Sequence, residues 1–437
     1  MWNLSYLYMI MEKLQLINYR CFKHLDLRFK NQVNLFIGDN SSGKSTIIQA
    51  LKSVLNSFFI GFSDENTVFS GLSKADFTIT ENDFGITNER PINVDFKFLG
   101  LEASLQLNSK KSRTLQKPLD PIYKYAKTRY HSMFDTEDQQ VIPLPVFGSF
   151  STKDIHITRG ISSKKFTTYA QKPSFGYYEC LQGDGFLNLW TKRLLVLKEA
   201  DRGHVEIEGV TKAVLDALGP DGCNIFSDIS IRPNQGEVYF IFKDSREINV
   251  DGLSDGYRRL VNIVLDVAFR CMILNQGIFG KEACYKSRGT VLIDEIDLHL
   301  HPSLQALVIQ GFQKAFPLIQ LIATTHAPLV MSGVPDDENN IVYKLTYHKE
   351  EDYKASEIDL YGLDASTIMQ VALKTVPRNK DVDRKLNELF AFIDNNEFKN
   401  AVVILNEMRE DFGDRLPELS KAETMLNFFS DDNDLDQ

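Results

Sequence analysis

Cysteine is scarce in this chain of 437 residues, and its five cysteines never form a C-x-x-C motif. They are scattered along the sequence as Cys21, Cys180, Cys223, Cys271 and Cys284. A disulfide framework needs an even and regularly spaced set, and a structural zinc site needs paired ligands. Both are therefore excluded as the basis of the fold, and reduced thiols in a cytoplasmic protein are expected.

The chain also lacks an overall positive charge, because 59 acidic residues outnumber 49 lysines and arginines and give a net charge of −10. Such a composition does not favour a surface that binds nucleic acid over its whole extent. Two local basic stretches are present, Lys110–Arg113 and Lys164–Lys165. We interpret them as solvated loops, with a nucleic-acid contact as the alternative.

Uninterrupted apolar runs of membrane-spanning length are absent as well. The apolar stretch Val261–Leu274 contains Asp266 and Arg270, which predicts a buried helix. Residues 1–10 lack the basic start and cleavage site of a signal peptide, and a strand is predicted to begin at Met11, so they are interpreted as an extension from an upstream start. We expect no membrane anchor and, without a heptad repeat, no long coiled-coil arm.

The strongest positive signal is Gly38–Thr46, which fits the phosphate-binding pattern G-x-x-x-x-G-K-[ST] at every fixed position. It lies between a predicted strand, Val33–Ile37, and a predicted amphipathic helix, Thr46–Leu55. Backbone N–H groups of such a loop turn toward one anion, and the helix N-terminus adds partial positive charge. The predicted contacts to a nucleoside triphosphate are Gly38, Asn40, Ser42, Gly43, Lys44, Ser45 and Thr46.

Two carboxylates are predicted to lie beside this loop. The run Thr290–Glu295 is apolar up to its last two residues, which predicts a buried parallel strand that ends in acids. Asp294 is suited to hold Mg²⁺, and Glu295 is suited to orient and deprotonate the attacking water.

The phosphates themselves are expected to contact three other side chains. Lys44 can reach the β- and γ-phosphates, and the Ser45 hydroxyl can ligate Mg²⁺. A second buried strand, Ile319–His326, ends in polar residues, and the imidazole of His326 is predicted to contact the γ-phosphate. Lys44, Glu295 and His326 are therefore the predicted catalytic residues.

A second helix N-terminus follows Leu253–Gly256, ahead of a helix predicted from Tyr257 to about Asn275. Ser254 and the N–H of Gly256 form a further phosphate site there. One nucleotide does not need two such sites from one chain. We therefore predict a head-to-tail dimer, in which this segment closes over the ATP held by the other subunit.

The alternation of strands and helices, with polar residues at strand ends, predicts a doubly wound α/β fold. A strand-rich first part precedes Ser109–Gln140, which lacks apolar periodicity and is predicted to be a loop or lid. The predicted organisation is 1–108 for the N-terminal half of the nucleotide domain, 109–250 for an inserted lid or arm, 251–350 for the C-terminal half, and 355–437 for a helical segment.

Taken in order, the phosphate loop, the Leu-Ser-x-Gly helix, the strand ending in Asp-Glu and the terminal histidine resemble the ABC-type ATPase heads of the RecF/SMC group. The resemblance implies a P-loop α/β head that binds ATP and Mg²⁺ and hydrolyses ATP. It also implies that Arg20, in Asn18–Arg20, touches the nucleotide. Asp255 and Tyr257 stand where transporter subunits prefer Gly and Gln, which points away from membrane transport.

Three weaker patterns need an interpretation. The glutamine loop of the family has only Gln139 and Gln140 as candidates. His299–His301 is compatible with a metal pair, but we interpret it as a dimer contact and turn. Asp381–Asp383 has the letters of a nuclease motif but opens a helical run, so no intrinsic nuclease is expected.

The C-terminal part resembles the tail of Septu-type anti-phage ATPases (PtuA-like), which also occur with some retrons. The similar segments are Tyr361–Met369, Leu386–Asp394 and Leu416–Leu419. The resemblance implies a partner, a separate HNH-type nuclease subunit that cuts DNA. An apolar stripe in this part is predicted to pack on the ATPase core, with partner docking as the alternative: Leu386, Leu389, Phe390 and Ile393.

Two functions therefore compete. In the first, the chain is the ATP-hydrolysing subunit of an anti-phage complex, forms a homodimer or an oligomer of dimers, and controls a nuclease that acts on DNA. In the second, it is a RecF-like repair ATPase that binds DNA and recruits other factors without a dedicated nuclease.

Overall fold

The chain divides into two units, Met1–Ala365 and Ser366–Gln437. The computed structural model describes residues 10–63, 68–82, 85–88, 90–134, 142–152, 172–183, 185–348, 352–375 and 378–433.

The strands within these residues are numbered in chain order. They are β1 Met11–Tyr19, β2 Phe22–Arg28, β3 Val33–Gly38, β4 Ile79–Asn82, β5 Gly85–Asn88, β6 Ile92–Phe98, β7 Leu101–Leu107, β8 Val146–Phe150, β9 Phe226–Arg232, β10 Glu237–Phe242, β11 Glu247–Asn249, β12 Gly289–Ile293, β13 Ile319–Thr324, β14 Asn340–His348 and β15 Asp352–Glu357.

The α-helices within the same residues are numbered in the same way. They are α1 Lys44–Asn56, α2 Asp120–Ser132, α3 Leu187–Glu199, α4 His204–Leu218, α5 Asp255–Phe279, α6 Ala283–Lys286, α7 Pro302–Gln305, α8 Val308–Ala315, α9 Pro328–Met331, α10 Ala365–Val371, α11 Lys380–Asp394, α12 Phe398–Phe412 and α13 Pro417–Asn433.

A six-stranded sheet of order β15-β14-β3-β13-β12-β8 positions the site in the first unit. The last five strands in this order run parallel, and β15 pairs antiparallel with β14 at one edge. Every residue of β3, β8, β12 and β13 is buried, as expected for strands covered on both faces. The ends of β3, β12 and β13 share one edge of the sheet, which brings together the segments that follow Gly38, Ile293 and Thr324.

A four-stranded antiparallel sheet of order β2-β1-β6-β7 forms the strand-rich start of the chain. Its hydrophobic pattern alternates, because one face is buried. Leu14 of β1 is fully buried and lies opposite Leu27 of β2 on one side and Phe96 of β6 on the other. The predicted α/β class, with a strand-rich N-terminal part and a helical C-terminus, is confirmed.

Part of segment 109–250, predicted as an inserted lid or arm, contributes to the central sheet. β8 pairs in parallel with β12, with Val146 opposite Gly289 and Phe150 opposite Ile293. The same segment also supplies a small antiparallel sheet of order β11-β10-β9, and helices α3 and α4, which contact α5.

Helix α2 corrects the expectation of a loop or lid. The prediction across Ser109–Gln140 is wrong for Asp120–Ser132, which form this helix. Its buried face consists of Ile122, Ala126 and Arg129. Because a charged residue occupies one of the inward positions, the sequence does not display the apolar period that would reveal the helix. Residues 135–140 of the predicted loop lie outside the described residues.

Helix α5 is a buried core helix despite its apolar composition. The stretch Asp255–Lys286 is long and apolar enough to cross a membrane, but 67% of its most apolar window is buried inside the protein. Its interrupting charges are paired there: Arg270 Nε donates to Asp266 Oδ2 at 2.6 Å, and Trp190 Nε1 donates to Asp266 Oδ1 at 2.7 Å. The predicted buried helix at Val261–Leu274 is confirmed.

The second unit has a hydrophobic core of its own. Helices α11, α12 and α13 share a cluster of buried side chains: Leu386, Leu389, Ile393, Ala401, Leu405, Met408, Leu419, Ala422 and Leu426. The predicted stripe therefore packs within this unit, with Phe390 partly buried against the same cluster. The expectation that it packs on the ATPase core is wrong, because the next two helices along the chain cover it.

Candidate nucleotide-binding site

A pocket of about 250 Å³ lies at the carboxyl edge of β3, β12 and β13. Its lining residues are Cys21, Asn40, Ser41, Ser42, Gly43, Lys44, Ser45, Thr46, Asp294, Glu295 and His326. The structure thus brings together the phosphate loop, the two acids and the histidine that the sequence singled out. The remaining predicted residues, Gly38, Arg20, Ser254 and Gly256, are outside this lining.

Two glycines shape the loop. Gly38 has φ of 142°, and a Cβ there would lie 2.4 Å from the carbonyl oxygen of Leu345. Gly43 has φ of 95°, and a Cβ there would lie 2.5 Å from Cζ of Phe22. Because both positions need a backbone that other residues rarely adopt and leave no room for a side chain, only glycine allows this close turn.

Lys44 begins helix α1, and its ammonium group is buried in the loop. Nζ donates to the carbonyl oxygens of Gly38 at 2.8 Å and Asp39 at 2.9 Å. Burial lowers the pKa of Lys44, and the nearby carboxylate of Asp294 opposes that shift. Oγ of Ser42 is also buried and has no hydrogen-bond partner within the described residues. An orphaned hydroxyl beside a buried ammonium fits a site for a multiply charged anion.

The two acids follow β12 directly, in a turn that Thr324 of β13 stabilises. Oγ1 of Thr324 donates to Oδ1 of Asp294 at 2.6 Å and accepts from the backbone N–H of Glu295 at 2.7 Å. Glu295 has φ of 51°, a conformation that non-glycine residues seldom adopt. Thr324 is a site residue that the sequence did not reveal, since a threonine at the end of a buried strand matches no motif.

The pocket fits a magnesium ion that is shared with phosphates. Ser45 and Asp294 both line it, and Mg²⁺ in such sites takes one or two protein ligands and completes its shell with phosphate oxygens and water. In the described part of the chain, no three His, Cys, Asp or Glu side chains are grouped so as to hold a metal by themselves.

His301, one of the two histidines considered as a metal pair, takes part in a turn. Its Nδ1 lies 2.9 Å from Oγ of Ser303 and accepts from the Ser303 N–H at 3.4 Å, which caps helix α7. His299 has φ of 61°, in the same turn. The geometry is that of the turn predicted for His299–His301.

His326 follows β13, and Asp297 holds its loop. Oδ1 of Asp297 accepts from Oγ1 of Thr325 at 2.5 Å and from the backbone N–H of His326 at 3.4 Å. Burial lowers the pKa of His326, and the charge of Lys44 lowers it further. The imidazole is therefore neutral at pH 7, so that it can donate one hydrogen bond without adding charge. Asp297 is a second residue that the sequence motifs did not single out.

Arg259 is a third residue to which the sequence assigned no role. It lies in the first part of α5 with 6% of its surface exposed, and its Nη2 donates to the carbonyl oxygen of Asp294 at 2.7 Å. Burial lowers its pKa, and the carboxylates of Asp297, Glu295 and Asp294 oppose that shift. The one available signal is an arginine at an inward position of an apolar helix.

Ser254 and Gly256, at the start of α5, lie apart from this chain's own pocket lining. Ser254 is exposed, and its side chain makes no capping hydrogen bond to its own helix. Gly256 packs against the loop after Glu295, since a Cβ there would lie 2.4 Å from the carbonyl oxygen of His299. An exposed hydroxyl at a helix N-terminus is available to a second molecule, so the contact in a dimer stays a prediction.

Arg20 lies outside the pocket lining and forms an ion pair. Its Nε donates to Oδ1 of Asp76 at 2.9 Å, and its guanidinium lies 5.7 Å from the ring centre of Tyr19. Contact of Arg20 with a nucleotide stays a prediction. The glutamine-loop candidates Gln139 and Gln140 lie outside the described residues.

Two family models match parts of the first unit of this chain. A model of an AAA domain matches residues 13–192, and a model described as an AAA domain, putative AbiEii toxin, Type IV TA system, matches residues 164–332. The first range contains the phosphate loop, and the second contains Ser254, Asp294, Glu295 and His326.

Three curated relatives illustrate what the chain is similar to. The Retron Vc95 probable ATPase of Vibrio cholerae serotype O1 biovar El Tor is 41% identical over 107 residues, 24% of this chain and 20% of the relative. Septu protein PtuA of Bacillus mycoides (strain KBAB4) is 25% identical over 335 residues, 75% of this chain and 39% of the relative. DNA replication and repair protein RecF of Alkaliphilus oremlandii (strain OhILAs) is 46% identical over 43 residues, 10% of this chain and 12% of the relative. The chain therefore spans less than half the length of each.

A parallel sheet with a phosphate loop at its carboxyl edge, together with a Leu-Ser-x-Gly helix, defines an ATPase head of the ABC type. Within this class, the chain is similar in sequence to the Septu PtuA proteins, the retron ATPases and RecF.

A His326→Gln variant should lose less stability than the wild type as the pH falls. The folded-state pKa of His326 lies below the ordinary value of 6.5, so below pH 6.5 the unfolded chain takes up the proton first. The free energy of unfolding of the wild type should therefore fall as the pH drops from 6.5 through the lowered pKa, and the variant should lack this component. Chemical denaturation at a series of pH values measures it.

The matched control for this experiment is His348→Gln, at an exposed histidine of β14. It removes one imidazole from the chain without changing the pocket. An unchanged pH dependence in His326→Gln, equal to that of both the wild type and the control, would contradict the assignment.

Proposed function

We propose that the chain is the ATP-binding and ATP-hydrolysing subunit of an anti-phage defence complex, and that it controls an associated HNH-type DNA nuclease in the cytoplasm. The observation that carries the ATPase part is the pocket at the carboxyl edge of the sheet. There the loop from Asn40 to Thr46, both acids after β12 and the histidine after β13 surround one cavity.

The residues of the pocket suit a hydrolytic phosphoryl transfer. Loop N–H groups and Lys44 bind the phosphate chain, while Ser45 and Asp294 would hold Mg²⁺, which would neutralise charge on the phosphate oxygens. Glu295 orients a water and accepts its proton as the water oxygen bonds to the γ-phosphorus. The bond from that phosphorus to the bridging oxygen breaks, and ADP leaves with the electron pair. The neutral imidazole of His326 donates a hydrogen bond to the γ-phosphate.

The site is completed in trans. The exposed Ser254 and the N–H groups at the start of α5 supply a helix N-terminus that is free to meet an anion. Because these groups lie outside the pocket lining of their own chain, a head-to-tail pair would place them over the nucleotide of the other subunit. The proposal is a homodimer, or an oligomer built from such dimers, with ATP at its interface.

Glu295→Gln should lower kcat for ATP hydrolysis by about 10²- to 10⁴-fold, the usual effect of losing a general base, while ATP affinity changes little. Lys44→Ala should instead weaken ATP binding itself, because it removes the buried ammonium. Phosphate-release kinetics and titration with a non-hydrolysable analogue separate the two effects. The control Glu282→Gln, at an exposed glutamate, should behave as the wild type.

Mixing two inactive variants tests the composite site. Ser254→Arg and Glu295→Gln should each be inactive alone, but a mixed dimer contains one intact site. An equal mixture should recover about a quarter of the wild-type rate, since half of the randomly assorted dimers are mixed and each has one of its two sites intact. An inactive mixture of folded, assorting variants would contradict hydrolysis in trans.

The nuclease partner is supported by the similarity to Septu PtuA and retron ATPases, together with the tail resemblance. The apolar stripe of α11 is buried in the second unit, so docking would use other surfaces of the chain. In this arrangement the chain contacts DNA only as part of the complex, and ATP bound in its pocket controls DNA cleavage by the nuclease.

Co-expression with an HNH-type nuclease encoded next to this chain should give a complex that copurifies and whose DNA cleavage changes on addition of ATP. Lys44→Ala should remove the nucleotide dependence, because ATP no longer binds. Cleavage of a plasmid substrate with and without ATP is the measurement. The idea fails if the chain never associates with the nuclease, or if cleavage by the complex ignores ATP.

A RecF-like DNA-binding ATPase is the second candidate, and one surface favours it. Residues 109–132 contain seven lysines and arginines but a single acid, Asp120. Five of these cations are exposed and form no ion pair within the described part of the chain: Lys111, Arg113, Lys117, Lys124 and Lys127. Such a cluster in an acidic protein suits a phosphate backbone.

If this surface binds DNA, Lys124→Gln with Lys127→Gln should weaken binding of a duplex. The slope of log affinity against log salt should become shallower by about 0.9 for each phosphate that the variant no longer neutralises. Fluorescence anisotropy with a duplex at several salt concentrations measures both. The control pair is Lys281→Gln with Lys286→Gln, at two exposed lysines elsewhere. A wild-type chain that binds no DNA by itself would remove this candidate.

A further inference from the structure

Arg259 is a buried charge that the chemistry described so far does not use. It lies in α5, close after the exposed Ser254. An apolar side chain would pack at this inward position without the desolvation that a guanidinium requires. Nη1 is buried and has no hydrogen-bond partner within the described residues. An arginine at this position is therefore unfavourable if it serves packing alone. Its other terminal nitrogen, Nη2, does have a hydrogen-bond partner.

The group that Arg259 holds is the peptide that joins the two acids. The C=O of this peptide, from Asp294, accepts from Nη2 of Arg259 at 2.7 Å. Its N–H, from Glu295, donates to Oγ1 of Thr324 at 2.7 Å. Both polar groups of one peptide plane are thus fixed by side chains, one from α5 and one from β13. Rotation of this plane would turn the backbone that carries the Glu295 carboxylate.

The plane needs such restraint because Glu295 occupies an uncommon backbone conformation, with φ of 51°. A residue keeps such a conformation only where the surroundings over-determine it. Asp294 is further fixed at its own N–H, which donates to the carbonyl of Phe150 at 2.9 Å. Arg259 contacts this peptide from α5, whereas Thr324 contacts it from β13. The start of α5 is the phosphate site that is proposed to act on the other subunit.

We propose that Arg259 is a positioning residue for hydrolysis: it locks the peptide between Asp294 and Glu295 so that the Glu295 carboxylate faces the attacking water. This proposal rests on the ATPase function proposed above. It assigns to Arg259 no contact with ATP, and its effect passes through Glu295. Because α5 starts directly after Ser254, the hydrogen bond from Arg259 also links the Glu295 carboxylate to the helix that contacts the second subunit.

The test compares Arg259→Gln and Arg259→Lys with the control Arg258→Gln. Arg258 is adjacent on α5 but only half-buried, in an ion pair with Asp251 at 3.5 Å. Arg259→Gln should lower kcat by about 10- to 100-fold, as expected for a misplaced catalytic group, with affinity for a non-hydrolysable ATP analogue within about twofold of wild type. Arg259→Lys should recover part of kcat, because an ammonium can donate to the same carbonyl. The control should match the wild type.

A purely structural role would not reproduce one further result. In a Glu295→Gln background the residual rate should not fall further when Arg259→Gln is added, because the arginine acts only through the missing carboxylate. Additive losses, or equal losses of kcat and analogue affinity, would overturn the proposal.

The remaining outcomes are also decisive. An Arg259→Gln variant with the wild-type melting temperature and the wild-type kcat overturns the proposal. If Arg259→Gln does not fold, the lysine variant decides: a reduced kcat with unchanged analogue affinity supports positioning, and a wild-type kcat overturns it. A wild-type chain that hydrolyses no ATP counts against the ATPase function itself, whereas active wild type with unaffected variants counts against Arg259 alone.

Discussion

The parallel pairing of β3 with its two neighbours is the constraint on which the nucleotide pocket depends. Val33 lies opposite Leu321 of β13 on one side and Asn340 of β14 on the other. Since parallel strands all end at the same edge, this register sets the phosphate loop level with the acids after β12 and the histidine after β13. A slip of one residue would displace the loop by about 3.3 Å relative to those side chains, which exceeds the tolerance of a hydrogen bond.

The charged side chains around this pocket also depend on one another electrostatically. Lys44 and Arg259 are buried cations whose pKa values are lowered by burial, and both act on Asp294, Glu295 and Asp297. Charges in a partly dry site interact more strongly than in water. Removing any one of these charges therefore changes the electrostatic field at the others. An entering phosphate chain joins a set of charges already arranged around it.

Much of the fold and the site could be predicted from the sequence because the signals are local. The loop at Gly38–Thr46 carries its own pattern, and the strands before Asp294 and His326 are apolar runs of the right length. Their meeting in one pocket follows from the rule that parallel strands share a carboxyl edge. The Lys44, Glu295 and His326 side chains could be selected in this way from the sequence alone.

The residues that escaped prediction owe their roles to contacts between distant segments. Thr324, Asp297 and Arg259 match no motif, and their partners are set by the packing of strand and helix. Helix α2 was missed because Arg129 occupies one of its inward positions. The stripe on α11 correctly predicted a covered face, but a stripe carries no information on which surface covers it.

Helix α5 is attached to the central sheet at two widely separated points. Near its start, Arg259 holds the end of β12. Further along, the Asn275 side chain accepts from the N–H of Leu144 at 2.8 Å and donates to its carbonyl at 2.9 Å, just before β8. β8 and β12 are adjacent strands, so the helix acts as a brace across them. A displacement of its first turn would therefore be opposed at both of these attachment points.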